Sequence, residues 1–199
     1  MIPGGGTICK DRSVWNPKKE QQKFDRCLGH NYYIFSREWP YKNVPARIIA
    51  EPYIKEEGTV EDRGLIDYKF YCFDGAPKFL YVSEGLGGDH RKARMNFVDL
   101  SWRLTPFQRK DFMAFSVLPP KPYGFDEMIE IASVLSRGIP FVRVDLYSVN
   151  QRIYFSEFTF SPGGGFAPFS PMEWEEKIGE WILLPIKAPA KECVRSDGV

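Results

Sequence analysis

Two stretches of the sequence are each typical of a β-hairpin, and they constrain the fold more than any other feature. In IDYKFYCFDGAPKFLYVSEG, two apolar runs flank Asp74-Gly75, a dipeptide favoured in tight turns. In PFVRVDLYSVNQRIYFSEFTF, two further runs flank a turn expected around residues 148–151. The sequence therefore predicts a mostly antiparallel sheet.

Helix signals surround the two hairpins. Asn16 and Pro17 are a predicted cap and first residue of a helix that ends near Leu28. DEMIEIASVLSRG has apolar residues at helical spacing, and SPMEWEEKIGEWI starts with a predicted Ser170–Glu173 capping box. These elements predict an α+β fold with helices packed on the sheet. We expect one domain over residues 1–199, with a polar tail from 187.

Three other segments have weaker signals. RIIAEPYI, residues 47–54, is rich in branched side chains and is predicted to be another strand. The aromatic, proline-broken segment NYYIFSREWPYKNVPA before it is predicted to be a loop. Residues 101–125 contain several prolines and are expected to be irregular.

Composition excludes several classes of function. The net charge of +1 gives no electrostatic case for binding nucleic acid or an anionic membrane. No apolar run approaches the roughly 18 residues of a membrane span, and no signal peptide is visible. The four cysteines are scattered and form no CxxC pair, and there are only two histidines. A zinc site and a disulfide scaffold are therefore not expected. We instead expect a cytoplasmic protein with reduced cysteines.

Acidic residues on the second hairpin are candidates for a metal site. Side chains alternate along a strand, so Arg143 and Asp145 share one face, as do Glu157 and Thr159. The turn brings Asp145 opposite or diagonal to Glu157, on the order of 5–8 Å away. A divalent cation would relieve the repulsion between the carboxylates, since Mg²⁺ binds carboxylates together with nucleotide phosphates. Arg143 would then meet the phosphate.

Two other interpretations of this acid pair remain open from spacing alone. One is a solvated sheet face with two ordinary acids. The other is a glycosidase-type carboxylate dyad, which leaves Arg143 without a role. The glycine run in MIPGGGTICKD is also ambiguous. It is either a frayed terminus or half of a phosphate-binding loop, and it lacks the GK[ST] ending of a P-loop.

The run PFVRVDLYSVNQRIYFSEFTFSPGGGF resembles the metal-binding end of the ATP-grasp superfamily. That pattern has an Arg-x-Asp strand, a short turn, a Glu-x-Asn strand and a Pro-Gly loop. Thr159 stands where most ATP-grasp enzymes have asparagine. Four other segments are similar to the TupA-like ATP-grasp family, so that the resemblance extends from about Thr7 to Trp181. They are REWPYKNVPARIIAEPYI, DYKFYCFDGAPKFLYV, EMIEIASVLS and FSPMEWEEKIG.

The resemblance implies a nucleotide site. Glu51 and the backbone of Tyr53 and Ile54 are expected at the adenine edge, and Asp67 near the ribose hydroxyls. The alternative for the Tyr53 and Ile54 side chains is plain core. The glycine run would contribute Gly4 and Gly5 to nucleotide binding.

The resemblance also implies catalytic, metal-binding and substrate-binding residues. Arg143 is expected to stabilise the transferring phosphoryl group, and Lys69 to point towards phosphates or acceptor. Asp145 and Glu157 are expected to hold Mg²⁺, with Thr159 as a weaker ligand. In the basic stretch HRKAR, the residues expected to hold an acidic substrate are Arg91 and Arg94. A solvated charged loop is the alternative for that stretch.

The family is associated with bacterial cell-wall and surface-polysaccharide biosynthesis. The resemblance therefore implies an ATP-dependent carboxylate–amine ligase that acts through an acyl phosphate, alongside other enzymes of polysaccharide synthesis. ATP-grasp enzymes carry an N-terminal domain and a lysine ahead of the glycine loop, whereas residues 1–6 already lie in that loop. We therefore expect the C-terminal part of the fold, with an N-terminal portion missing. The alternatives are an inactive fragment acting as a binding module, or a sugar-polymer transferase or kinase.

Overall fold

The computed structural model describes residues 6–9, 11–56, 64–86 and 93–185. The helices of the described residues are α1 (Pro17–Leu28), α2 (Tyr32–Ser36), α3 (Phe125–Ser136) and α4 (Glu173–Gly179). Short 3-10 turns lie at Trp39–Tyr41 and Pro162–Gly165. The strands are β1 (Asp67–Phe73), β2 (Ala76–Glu84), β3 (Arg94–Asp99), β4 (Val142–Val149) and β5 (Arg152–Thr159).

The five described strands form one antiparallel sheet in the order β3-β2-β1-β4-β5. Both predicted hairpins are present, and the pairing of β1 with β4 joins them in the middle of the sheet. The predicted α+β class, with a mostly antiparallel sheet, is therefore confirmed. No helix of the described residues is long and apolar enough to cross a membrane.

The hairpin turns have the backbone conformation that suits a twisted antiparallel pair. Asp74 and Gly75 have φ of 47° and 81°, and Asn150 and Gln151 have φ of 50° and 61°. Two successive positive φ values are the mark of a two-residue turn whose twist matches that of its strands. Glycine, asparagine and aspartate tolerate these angles best, which is why the sequence signal at Asp74-Gly75 is reliable.

The two faces of the sheet are covered by different material. On one face α3 packs against a buried and mostly apolar layer that includes Phe70, Leu80 and Val144. The opposite face carries an aromatic cluster of Tyr71, Phe73, Phe79, Tyr81, Phe97 and Phe107, against which Ile178 of α4 packs. Each aromatic pair of this kind contributes about 0.5–1.5 kcal/mol of stability beyond its area burial, so the cluster stabilises this face of the sheet.

Several predicted elements differ from the structure. Residues 47–54 lie in no strand, and Ile49 is 78% exposed. Branched residues favour a strand only where another strand pairs with them, and this segment has no such partner among the described residues. Conversely, β3 was not predicted, because the glycine-rich and basic residues before it conceal a short strand. The segment predicted to be a loop contains α2 and the first 3-10 turn.

The start of α4 also differs from the predicted capping box. The helix begins at Glu173, and its N-cap is Met172 rather than Ser170. The backbone of Ser170 instead exchanges two hydrogen bonds with Gln108, at 2.8 and 2.9 Å. Pairing with a distant chain segment has therefore overridden the local capping signal.

Candidate functional site

Charged side chains gather on the sheet face that carries the aromatic cluster, next to the rings. The strand register aligns Lys69 on β1 with Asp145 on β4, and Asp145 with Glu157 on β5. Two residues away along the same pair of strands, Arg143 is aligned with Thr159. The register confirms the predicted pairing of Asp145 with Glu157. Together with Asp67, these residues form what we call the charged cluster.

Asp145 lies at the centre of the charged cluster and is fully buried. Its Oδ1 accepts a hydrogen bond of 2.7 Å from Nε of Arg143, and its Oδ2 accepts one of 2.7 Å from Nη2. Oδ2 also accepts one of 2.5 Å from Nζ of Lys69. Charge-assisted bonds of this kind are roughly twice as strong as neutral ones. Asp145 therefore fixes the positions of both cations.

Lys69 is held between two carboxylates. Its Nζ lies 3.1 Å from Oδ1 of Asp67 and is bonded to Asp145. Burial alone lowers the pKa of Lys69, but the charges of Asp145 and Asp67 outweigh this effect and raise the pKa above its ordinary value. Lys69 is therefore a permanent cation at neutral pH.

Arg143 connects the buried and the open parts of the charged cluster. Its Nη2 donates to Oγ1 of Thr159 at 2.8 Å and lies 3.5 Å from Oε1 of Glu157. The guanidinium also lies over the ring of Tyr81, 5.5 Å from the centroid. Burial opposes the charged form, but Tyr81 and Asp145 raise the pKa of Arg143 further above its already high value. Its charge is therefore fixed, and the group serves as an anion binder rather than an acid or base.

Exposure rises from Asp145 towards Glu157. The Glu157 side chain is 45% exposed, in contrast to the buried Asp145. The charged cluster contains three carboxylates and two cations among the described residues, which leaves one negative charge in excess. That excess lies at the accessible end, where it favours a cation or a cation-bearing ligand.

The oxygen donors of the charged cluster suit Mg²⁺ in their chemistry, but not all of them are open. Glu157 has an accessible carboxylate, and the Thr159 hydroxyl is next to it. Both oxygens of Asp145 accept hydrogen bonds from Lys69 or Arg143. The described residues contain no group of three or more His, Cys, Asp or Glu arranged to hold a metal. In this arrangement Glu157 is thus the open ligand, and Asp145 mainly holds the cations.

Some residues of the site were not foreseen from the sequence. Tyr147 lies on β4, and burial followed by the charge of Asp67 raises its pKa. Tyr41, from the 3-10 turn, accepts a hydrogen bond of 3.1 Å from the backbone N–H of Phe160. Its hydroxyl is in electrostatic range of Glu157. Strand alternation could have indicated Tyr147, but no sequence pattern indicates Tyr41.

Ser83 is a further residue that sequence reasoning missed. It is fully buried on β2 and aligned with Asp67. Its Oγ has no hydrogen-bond partner within residues 6–9, 11–56, 64–86 and 93–185. A buried hydroxyl without a partner is unusual in folded proteins.

Four other predicted site residues show no contact with the charged cluster in the part of the chain that the structure describes. Glu51, Tyr53 and Ile54 form no hydrogen bond or ion pair with it in the described part of the chain. Arg94 lies on the opposite face of the sheet, where its Nε is 3.9 Å from Glu84. Arg94 lies on that face because successive side chains of β3 point to alternate faces of the sheet. Three predicted residues, Gly4, Gly5 and Arg91, lie outside the described residues.

Comparison with known proteins adds the family. The family model described as TupA-like ATPgrasp matches residues 3–183, which is most of the chain. No curated protein and no solved structure matches it. The match covers both hairpins, the charged cluster and the glycine turn after β5. The chain therefore belongs to the TupA-like ATP-grasp family.

Proposed function

We propose that the chain is an ATP-dependent carboxylate–amine ligase that acts through an acyl phosphate, in the synthesis of a cell-wall polymer or surface polysaccharide. ATP binding follows from the ATP-grasp family. The observation that carries the proposal is the charged cluster, in which two permanent cations and an open carboxylate share one sheet face. That combination suits a nucleoside triphosphate and the divalent cation bound to its phosphates.

The proposed reaction has two steps. A carboxylate oxygen of the acceptor attacks the γ-phosphorus of ATP, and the bond from that phosphorus to the bridging oxygen breaks, so that ADP leaves with the electron pair. An amine nitrogen then attacks the carbonyl carbon of the acyl phosphate. The bond from that carbon to the phosphate oxygen breaks and the nitrogen loses a proton, which gives an amide and inorganic phosphate.

The residues of the charged cluster would contribute by position and charge rather than by proton transfer. Arg143 would bind the transferring phosphoryl group, since its planar guanidinium can turn a donor from Thr159 to an oxyanion. Lys69 would bind a neighbouring phosphate oxygen, and Asp145 would hold both cations in place. Glu157 and Thr159 would hold Mg²⁺, and Asp145 would join them by releasing a hydrogen bond from Arg143 or Lys69. When bound, this ion would neutralise phosphate charge.

The remaining nucleotide and substrate roles belong to the same proposal. Glu51, Tyr53 and Ile54 would contact the adenine, and Asp67 the ribose. Gly4 and Gly5 would approach the phosphates, and Arg91 and Arg94 the acidic acceptor. We also propose a cytoplasmic location, where ATP is available, and partners among other enzymes of the same polymer's synthesis.

The test is ADP release by the full chain with ATP and Mg²⁺, measured with carboxylate plus amine acceptors and with hydroxyl acceptors. A ligase releases ADP only when a carboxylate is present, and inorganic phosphate appears with amide. Release with hydroxyl acceptors alone would instead show a kinase of the sugar-polymer type. Binding of an ATP analogue without turnover would show a binding module, a possibility favoured by the complete pairing of Asp145.

Variants test whether the charged cluster performs the reaction. Arg143→Lys keeps the charge but removes the bidentate geometry, and Glu157→Gln removes the open negative charge. Each should reduce ADP release by roughly ten- to hundredfold, the effect of one charge-assisted contact. Glu173→Gln is the matched control for Glu157, because the ion pair that Glu173 forms within the described residues is an exposed one with Lys177 on α4. Equal effects of the two glutamate substitutions would contradict the assignment.

A further inference from the structure

The glycine turn that follows β5 lies beside an arginine from another part of the chain. Gly163, Gly164 and Gly165 all have positive φ, of 61°, 66° and 81°, and are exposed. A Cβ added to Gly163 would lie 2.6 Å from Cβ of Ala167 and 3.7 Å from Nη1 of Arg109. The absence of a side chain at Gly163 therefore lets the turn approach the guanidinium closely.

Arg109 uses only part of its hydrogen-bonding capacity. Its Nε donates to Oδ1 of Asp111 at 2.8 Å, and its Nη2 donates to Oδ2. Its Nη1, on the side of Gly163, has no acceptor within the described residues. The Phe112 ring lies 5.2 Å from the guanidinium carbon, and the Arg109 side chain is 17% exposed. Arg109 is therefore held rigidly, with one charged N–H₂ group left for a ligand.

Arg109 lies over the same sheet face as Arg143. Burial raises the pKa of Tyr71 and of Tyr81, and the charges of both arginines act against this effect on both tyrosines. Both guanidinium groups are thus in electrostatic range of the same two hydroxyls. The glycine turn begins three residues after Thr159, so the turn and the accessible end of the charged cluster adjoin.

We propose that Nη1 of Arg109 and the turn Gly163–Gly165 form a subsite that binds a carboxylate of the acceptor substrate. A carboxylate there would gain a charge-assisted hydrogen bond from a group without an acceptor, next to the proposed phosphoryl site. Asp111 competes for the same cation and sets the affinity. The subsite rests on the proposed function for its place in the reaction, but its anion binding is measurable without turnover.

The experiment is titration of the ¹⁵N-labelled full chain with succinate, following by NMR the backbone N–H signals of Gly163, Gly164 and Gly165, which are present in every variant. Arg109→Gln should weaken succinate binding by about tenfold or more. Asp111→Asn removes the competing carboxylate and should strengthen binding. Arg103→Gln is the matched control, since Arg103 also pairs with a nearby aspartate, Asp99. Succinate binding by this variant should equal that of the unchanged chain.

The outcomes separate this subsite from the proposed function. Binding of an ATP analogue should be the same in Arg109→Gln as in the unchanged chain. Succinate binding that depends on Arg109, in a chain that binds no ATP analogue, would support the subsite and contradict the ligase. No succinate binding at millimolar concentration would overturn the subsite. So would equal weakening by Arg109→Gln and Asp111→Asn, because the pair would then act only as a structural contact.

Discussion

Replacement of Asp145 by asparagine is the most direct test of the charged cluster as a unit of structure. The substitution keeps the volume of the side chain and removes its charge. Asp145 accepts two hydrogen bonds from Arg143 and one from Lys69, and it is fully buried. The asparagine NH₂ group would face a cation, so at least one of these bonds would be lost.

The size of the effect follows from what the two cations retain. Lys69 keeps Asp67 at 3.1 Å, whereas Arg143 keeps Glu157 at 3.5 Å, the neutral Thr159 and the ring of Tyr81. Breaking a buried ion pair by removing one partner costs about 3–5 kcal/mol, because an uncompensated charge remains. For a chain of this size, this loss lowers Tm by roughly 6–20 °C, at about 2–4 °C per kcal/mol.

The assay is thermal and urea unfolding of Asp145→Asn beside Glu157→Gln. Glu157 is half-exposed, so its contact with Arg143 should contribute about 0–1 kcal/mol. The double variant of Asp145→Asn with Lys69→Met should lose less free energy of unfolding than the two single changes added together, because the pair shares one interaction. A loss below about 1 kcal/mol in Asp145→Asn would refute the reasoning.

Three further outcomes follow from burial and backbone geometry. Burial raises the pKa of Tyr68 to about 12, so its contribution to stability is complete below pH 10 and is lost as the pH rises towards 12. In urea unfolding, Tyr68→Phe should therefore make the free energy of unfolding depend less on pH over that range. Tyr123→Phe, at an exposed position, should not have this effect. Gly163→Ala should destabilise the fold by about 1–3 kcal/mol in thermal unfolding, because φ is 61° and the new Cβ would lie 2.6 Å from a neighbouring side-chain carbon, whereas Gly179→Ala meets no atom within 4 Å. Phe97→Ala should cost about 3–5 kcal/mol in urea unfolding, since the ring is buried among five other aromatic rings, and a loss under 1 kcal/mol would contradict the role of the aromatic cluster.

Elements with strong local signals were predictable from the sequence. The turn at Asp74-Gly75 and the cap and proline at Asn16 and Pro17 lie where the sequence places them. These signals act within a few residues, so they need no knowledge of distant partners. The segment 47–54 shows the limit of this reasoning, because branched residues form a strand only when a neighbour supplies the other half of the ladder.

For the candidate site, the sequence by itself determined one hairpin, β4–β5, and the relative placement of its polar side chains. Alternation along β4 and β5, with a short turn between them, places Arg143 and Asp145 opposite Thr159 and Glu157. Only the tertiary structure brought Lys69 to the same carboxylate, because the pairing of β1 with β4 joins residues 76 positions apart in the chain. Pairing across such distances is decided by burial of whole sheet faces, which no local pattern encodes. The contacts of Tyr41 with Phe160, just after β5, and of Arg109 with the glycine turn arise in the same way.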